Sequence, residues 1–286
     1  MANIRLIRRR IKGVQSTAKI TKAMEMIAAS KMRHAQERGL AGRPYSEKIT
    51  QVLASLGELP QSTGALHPLL ERRQPVKCIT VLHITPDRGL TGALVYNMNR
   101  KTASFILERG LPAMVISVGR KGLEFMRRTS QNIVAEFINL GDKPSLTDTL
   151  PISRIIIDDF TAGKADEVYI AYTRFVSTMV QTPIVQRILP VTPPQEPLGQ
   201  SVDFIYEPNP SWVLNSLLPR FVEMQVYHAI LESIASEQSA RMVAMRNATD
   251  NAEELIDDLT LVYNKARQES ITTELLDIIG GAAELV

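Results

Sequence analysis

The chain has 286 residues, of which 44% are apolar and 5% aromatic, and its net charge is +3. This length allows one large domain or two ordinary ones, and the scarcity of aromatic residues favours helix-on-helix packing. The single cysteine, Cys78, excludes an intramolecular disulfide and most cysteine metal sites, and the four histidines lack ligand spacing. No apolar run is as long as a membrane span and the start lacks a signal-peptide core, so we expect a cytoplasmic chain. The dispersed histidines and the single cysteine predict no metal site, and we expect no cofactor.

The charge is unevenly distributed along the chain. Residues 1–58 hold 12 Lys and Arg against 4 Asp and Glu, whereas residues 211–286 hold 5 against 12. Opposite charge on two long helices would favour their pairing, although each exposed ion pair contributes under about 1 kcal/mol. The basic segment alone is equally compatible with a nucleic-acid partner or an acidic protein partner.

Residues 1–58 predict one long N-terminal helix. Its first apolar residues follow the alternating three- and four-residue spacing of a coiled coil: Ile4, Ile7, Ile11, Val14 and Ala18. The apolar stripe is then predicted to drift through Met24, Ile27, Ala28 and Met32. Three weak helix formers further along predict a bend or a break: Gly39, Gly42 and Pro44.

Residues 76–206 predict an inserted α/β domain, because the apolar period changes there from helical spacing to short β-branched runs. The predicted strands are Cys78–Ile84, Ala113–Val118, Ile133–Phe137, Glu167–Tyr172, Ile184–Leu189 and Val202–Tyr206. Helical patterns separate the first four, at Ala93–Arg109, between Gly122 and Thr129, and near Thr147–Gly163. This alternation predicts parallel βαβ units, and the closing strands, with no helix between them, predict an antiparallel edge.

Residues 210–286 predict a second long helix. Asn209 and Pro210 are a plausible start, Gly280 with Gly281 a plausible end, and Pro219 predicts a kink or a delayed start. The predicted stripe is Val213, Leu217, Phe221, Met224, Leu231, Ala235, Met242, Met245, Ala252, Leu255, Leu259, Val262 and Ala266. A helix of roughly 100 Å cannot bury such a stripe against itself. The predicted fold class is therefore α/β, with a long antiparallel coiled coil of the N- and C-terminal helices and an inserted Rossmann-like domain.

The loops Thr85–Ala93 and Gly119–Gly122 lie where a doubly wound fold binds phosphate. They lack the three-glycine dinucleotide fingerprint, and no Walker-type loop occurs in the chain. Turn glycines are therefore favoured over a nucleotide site, and no catalytic constellation emerges. A nucleotide-dependent enzyme, a coiled-coil nucleic-acid binder and a generic scaffold remain as alternatives, although the N-terminal arginines lack the interleaved aromatics of many nucleic-acid modules.

Five segments resemble one family. Ile11–Met32 (IKGVQSTAKITKAMEMIAASKM), Ser236–Met245 followed by Ala248–Ala252, and Tyr263–Glu274 are similar to the terminal helices of the gamma subunit of rotary F-type ATP synthases. Asp87–Leu90 (DRGL) resembles a loop of that family's α/β domain. The resemblance spans the chain from end to end. It implies a non-catalytic central-stalk rotor that couples proton flow through the c-ring to conformational change in the catalytic beta subunits.

The resemblance also implies partners and contact residues. It places the chain, at one copy per complex, against alpha and beta subunits, epsilon and the membrane-embedded c-ring, as a peripheral protein on the cytoplasmic side of the cell membrane, with no nucleic acid. The residues that it implies in contacts with alpha and beta are Met24, Arg88, Thr91, Arg241, Arg267, Gln268, Thr272 and Glu274. Those that it implies near epsilon and the c-ring are Phe204 and Glu207.

Overall fold

Along the sequence, an α/β sheet lies between two long terminal helices. The computed structural model describes residues 4–58, 67–192 and 206–283. The elements are α1 Ile4–Glu58, a 3₁₀ helix Pro68–Leu70, β1 Ile79–Ile84, α2 Leu94–Arg109, β2 Ala113–Val118, α3 Arg120–Arg128, β3 Asn132–Phe137, α4 Leu146–Thr161, β4 Glu167–Phe175, β5 Gln181–Leu189 and α5 Pro210–Ala283. Within these ranges, no helix is both long enough and apolar enough to cross a membrane.

Both terminal helices continue through their prolines. The break considered at Gly39–Pro44 and the delayed start considered at Pro219 are wrong, since α1 and α5 each run as one helix through Pro44 and Pro219. Packing overrides local propensity at Pro219, because the neighbouring Leu218 and Val222 are fully buried. The predicted strand Val202–Tyr206 lies outside the described residues, apart from Tyr206.

The sheet has five strands in the order β3-β2-β1-β4-β5. β1 pairs in parallel with β2 and β4, β2 pairs in parallel with β3, and β5 closes the edge antiparallel to β4, as predicted. The strand order reverses between β1 and β4, which is where doubly wound folds place ligands. The central strand β1 is buried along its whole length, as a strand covered on both faces must be.

The two faces of the sheet support different hydrophobic clusters. Ile79 and Val81 of β1 pack in the cluster that includes Met98 of α2 and Met126 of α3. Leu82 and Ile84 pack in a larger cluster with α4, with Ala35, Ile49 and Leu53 of α1, and with α5 residues from Leu218 to Ala235. Full burial of each such aliphatic side chain contributes about 1.5–3 kcal/mol, so the larger cluster fixes both long helices to the sheet.

The chain divides into two compact units. One contains α1 up to Ala28 and α5 from Arg241 onward, and the other spans Ala29–Ala240 with the whole sheet. The first unit is therefore made of helix ends alone, and the second carries the α/β fold.

The turn between β2 and α3 depends on Gly119. Its φ of 88° is a left-handed conformation, and a Cβ there would lie 1.8 Å from the Thr85 carbonyl oxygen. The loop after β1 therefore packs directly against this turn, where only glycine fits.

We expect Gly119→Ala to lower the free energy of unfolding by more than about 2 kcal/mol, because the methyl group clashes with backbone and the backbone itself becomes strained. Urea unfolding followed by circular dichroism measures the change. The matched control is Gly89→Ala, where an added Cβ meets nothing within 4 Å. Equal effects of the two substitutions would contradict the packing argument.

Candidate functional site

The unit built from the helix ends is an antiparallel coiled coil. The hydroxyl oxygens of Thr21 and Thr249 are 2.7 Å apart. One helical turn further along α1, Glu25 Oε1 lies 3.4 Å from Arg246 Nε, one turn earlier on α5. Numbers therefore rise along one helix as they fall along the other, which places Ile4 level with Ala266.

The least exposed residues of this unit keep a strict three-four alternation on both helices. On α1 they are Ile4, Ile7, Ile11, Val14, Ala18, Thr21, Glu25 and Ala28. On α5 they are Met242, Met245, Thr249, Ala252, Ile256, Leu259, Tyr263, Ala266, Ser270 and Thr273. We call these two rows the seam. Such a repeat is typical of a left-handed coiled coil.

The predicted drift of the stripe through Ile27 is wrong, because Ile27 is 54% exposed. The predicted stripe positions Leu255 and Val262 are wrong as well, since they are 40% and 51% exposed. At Ile27 the physical reason is that the polar residues Thr21 and Glu25 occupy the seam, so a search for apolar residues departs from the true row. Leu255 and Val262 are each next to a true seam residue, Ile256 or Tyr263, that is also apolar or aromatic, so apolar character alone does not choose between the neighbours.

A polar layer crosses the middle of the seam. Thr21 and Thr249 are 9% and 5% exposed, and each hydroxyl also approaches a carbonyl of its own helix, Ala18 O at 3.0 Å and Met245 O at 2.9 Å. The adjacent carboxylate of Glu25 accepts from Lys22 at 3.0 Å as well as facing Arg246. Buried polar groups are thus partnered within this layer, as burial requires.

Two residues implied by the resemblance lie in this coiled coil. Met24 is half-buried on α1, between the seam residues Thr21 and Glu25. Arg241 is half-buried where α5 enters the unit, next to the seam residue Met242. Both therefore flank the seam and keep part of their side chains at the surface.

The other four implied residues of α5 lie beyond the described part of α1. Arg267, Gln268, Thr272 and Glu274 are all exposed, and Glu274 accepts a hydrogen bond from Ser270 at 3.3 Å. They follow Ala266, which is level with Ile4, the first described residue of α1. Large apolar side chains are exposed on the same segment, by 45% to 68%: Ile271, Leu275, Leu276, Ile278 and Ile279.

The next two implied residues lie in the loop after β1 and differ in exposure. Arg88 is exposed, whereas Thr91 is 3% exposed and its carbonyl accepts from Leu94 N at the start of α2. Only the arginine presents its side chain at the surface of this unit. Of the pair near the chain's second long helix, Glu207 is exposed and Phe204 lies outside the described residues.

The same loop occupies the N-terminus of α3, where a nucleotide phosphate would bind. Asp87 Oδ1 accepts from Arg120 N at 3.0 Å, the Pro86 carbonyl from Lys121 N at 3.1 Å, and Thr85 Oγ1 from Gly122 N at 2.8 Å. Helix N-termini bind anions through such free N–H groups. Because these three groups already have partners, the geometry argues against phosphate binding at the Gly119–Gly122 loop.

His83 is the fully buried titratable group of the sheet. Its Nε2 lies 2.9 Å from Asn99 Oδ1 and its Nδ1 3.0 Å from the Thr102 hydroxyl. Burial lowers the pKa of His83 to about 4, with the Asn99 hydrogen bond opposing the shift. A neutral imidazole that donates through Nε2 suits Asn99 Oδ1, and the Thr102 hydroxyl also lies 3.0 Å from the Met98 carbonyl. This histidine is therefore a core group, and no acidic partner activates it as a base.

No cluster of metal-ligating side chains occurs among residues 4–58, 67–192 and 206–283. The thiol of Cys78, at the start of the sheet, has a pKa raised by burial and by the nearby Asp166 carboxylate. A raised pKa leaves little thiolate, so this cysteine is a poor nucleophile.

Known proteins resemble this chain over its two long helices and over the motifs that these helices carry. A family model described as ATP synthase matches residues 3–285. The ATP synthase gamma chain of Dehalococcoides mccartyi strain CBDB1 is 70% identical over 285 residues, which cover 100% of both chains. That of Roseiflexus castenholzii is 52% identical and covers 100% of this chain and 99% of its own. The chain belongs to the ATP synthase gamma chain family.

Solved structures agree with this fold. A chain in the cryo-EM structure of the Euglena gracilis mitochondrial ATP synthase with OSCP, F1 and c-ring aligns with 99% of this gamma chain and 94% of its own length, at a TM-score of 0.67 and 22% identity. A chain of the Tetrahymena thermophila central stalk and c-ring aligns with 80% and 99%, at 0.62 and 24%. The predicted fold class is confirmed. A gamma chain is a stalk subunit, and catalysis belongs to the beta subunits.

The polar layer is the part of this gamma chain that sequence reasoning missed. A signal was present, because extending the three-four spacing from Ala18 by 3, 4 and 3 residues leads to Thr21, Glu25 and Ala28. The apolar pattern alone gave no reason to keep a threonine and a glutamate in the row.

We expect the Thr21–Thr249 pair to be energetically coupled. Thr21→Val and Thr249→Val should each lower the free energy of unfolding by about 1 kcal/mol, and the double variant should lose less than their sum, because the shared hydrogen bond is lost only once. Urea titrations of the four chains give the coupling energy. Thr17→Val with Thr260→Val is the control cycle, since these exposed hydroxyls bond carbonyls of their own helices. Additive effects at Thr21 and Thr249 would show that the layer is not coupled.

The low pKa of His83 predicts a loss of stability in acid. The unfolded imidazole has a pKa near 6.5, so between pH 6.5 and about 4 the unfolded chain binds a proton that the folded chain does not. The free energy of unfolding should therefore fall by about 2 kcal/mol more, between pH 7 and pH 5, in the natural chain than in His83→Gln. The exposed His34→Gln is the control. An NMR titration showing His83 protonated at pH 6 would contradict the burial argument.

Proposed function

We propose that this gamma chain is the rotor of its synthase and turns inside a ring of alternating alpha and beta subunits. Proton flow through the c-ring turns the chain, and the chain drives the beta subunits in sequence through binding, synthesis and release. One copy serves each complex. The observation that carries this proposal is the bare apolar end of α5, which extends past Ala266 without cover from the described part of α1.

An exposed apolar helix end needs a covering surface. Five large apolar side chains between Ile271 and Ile279 are 45% to 68% exposed. A contiguous exposed apolar patch of this kind marks an interaction surface. A sleeve formed by surrounding subunits would cover them on all sides. Contacts that are apolar and free of fixed ion pairs also let the helix rotate within the sleeve, because no single angle is strongly preferred.

The coiled coil presents two different outer faces. On α1, seven basic side chains are exposed between Arg5 and Lys22, and on α5, five acidic side chains are exposed between Asp250 and Asp258. Within the described part of this unit, no ion pair joins these basic side chains of α1 to these acidic side chains of α5. Each beta subunit would therefore meet a different charge at a given angle, and such differential affinity is what shifts a two-state subunit between open and closed forms. The basic face would fit acidic loops of the beta subunits.

Contact roles follow from position along the chain. Met24 and Arg241 flank the seam and would meet beta-subunit loops, as would the exposed Arg88, whereas Thr91 is buried within the same loop. The exposed face of Arg267, Gln268, Thr272 and Glu274 would form a polar collar against alpha and beta. Each of these surface residues keeps its side chain accessible, apart from the buried Thr91.

The segment immediately before α5 would contact the membrane sector. Glu207 is exposed immediately before α5, and with Phe204 it would contact epsilon and the c-ring. The chain would then be a peripheral protein on the cytoplasmic side of the cell membrane. The protein's own groups fill the α3 N-terminus, which argues against a nucleotide there.

Reconstitution tests the function. The chain is mixed with purified alpha and beta subunits of its own source, and ATP hydrolysis is assayed. We expect one gamma chain per three alpha–beta pairs and a rise in turnover. Failure to assemble, together with steeply salt-dependent binding of DNA or RNA by the free chain, would overturn the proposal in favour of a nucleic-acid binder.

The same assay tests the collar. Gln268→Ala with Thr272→Ala should reduce hydrolysis roughly tenfold, the equivalent of about 1.4 kcal/mol, because two polar contacts with the ring are removed. The control is Glu254→Ala with Asp258→Ala, exposed residues of the same helix outside the collar. Equal activity of the two double variants would remove the collar from the proposal while leaving the rotor intact.

A further inference from the structure

One stretch of α1 in the sheet-bearing unit has little to hold it. Ala35 is 4% exposed and Ile49 4% exposed, and both pack in the large hydrophobic cluster. Between them, from Gln36 to Lys48, none of the residues whose side chains the structure describes is buried. Leu40 and Tyr45 are 54% and 51% exposed. More than three helical turns therefore lie between two anchors without contributing a core residue.

The same stretch has the weakest helical sequence in α1. Gly39 and Gly42 are disfavoured in a helix relative to alanine, and Pro44 is disfavoured far more strongly. Pro44 also has no N–H group, so the Leu40 carbonyl loses its helical hydrogen-bond donor. The helix persists because the anchors on either side hold it, and the local free energy against opening is correspondingly small.

A cavity lies beside this stretch, within the same unit. It has a volume of about 770 Å³ and is lined by α1 residues including Gly39 and Ser46, by Tyr172 and Arg174 of β4, and by Gln225 and Glu232 of α5. A Cβ at Gly39 would meet nothing within 4 Å, whereas one at Gly42 would come 2.7 Å from the His228 ring. One glycine thus faces open space, and the other permits close contact with α5.

We propose that Gly39–Pro44 is a built-in opening point of α1, where the helix unwinds and bends locally while Ala35 and Ile49 stay in place. The cavity gives the backbone room to move toward the sheet, and the exposed side chains lose no buried contact when it does. Gly42 against His228 is the contact that closes the helix again. This is a property of the free chain and does not depend on the proposed function.

The opening point makes α1 unequal to α5 at the same level. The facing segment of α5 contains Ala229, Leu231 and Ala235, which are 4%, 2% and 3% exposed. When the segment opens, α1 would bend between its anchors while α5 remains packed against the sheet.

Hydrogen exchange of the full chain, read by mass spectrometry, tests the proposal. In the natural chain, amides 40–48 should exchange at least tenfold faster than amides 50–56 of the same helix. Gly39→Ala should slow exchange of 40–48 about fivefold, which corresponds to about 1 kcal/mol of helix propensity, and should leave 50–56 unchanged.

Gly13→Ala is the matched control, because it also lies in α1 and its Cβ would meet nothing within 4 Å. It should not alter exchange in 40–48. Equal exchange of 40–48 and 50–56 in the natural chain would overturn the proposal. So would a Gly39→Ala variant that slows both segments alike, since that would report general stabilisation of the helix.

Discussion

The structure depends on one constraint, which is that a helix of 74 residues cannot bury its own apolar stripe. Each part of α5 meets this constraint differently. Near Leu218–Ser239 the helix is buried on nearly every side by the sheet-bearing unit, and from Met242 to Ala266 it shares a seam with α1. Beyond Ala266 this chain supplies no cover among its described residues. The apolar surface that stays exposed is therefore at the end of this helix.

The way each part is covered matches the mechanical demand on it. Dense burial against the sheet gives a fixed attachment, because well-packed interiors resist small displacements. The seam, with its polar layer at Thr21 and Thr249, holds two helices together but leaves most of their surface outside. The end beyond Ala266 has no cover among the described residues, and its large apolar side chains are exposed. The three parts of α5 thus differ in how firmly this chain holds them.

The spacing of apolar residues along the sequence predicted most of the fold. The change from helical spacing to β-branched runs near Val76 located the α/β domain, and the return to helical spacing located α5. Polar seam residues such as Glu25 were missed because a search for apolar residues passes over them, although the three-four spacing from Ala18 leads to them. Propensity misled at Gly39–Pro44 and Pro219, where tertiary anchors maintain a helix that local sequence disfavours. The contact residues, from Met24 to Glu274, came from family resemblance and not from spacing, and the burial of Thr91 was invisible to both.

The carboxylate of Asp87 lies where many α/β folds hold a nucleotide, at the N-terminus of a helix. In this α/β unit that position is filled by groups of Asp87, Pro86 and Thr85. Because this carboxylate belongs to the chain itself, a nucleotide phosphate could occupy the helix N-terminus only by displacing Asp87 and its loop, which already hold three of the N–H groups there.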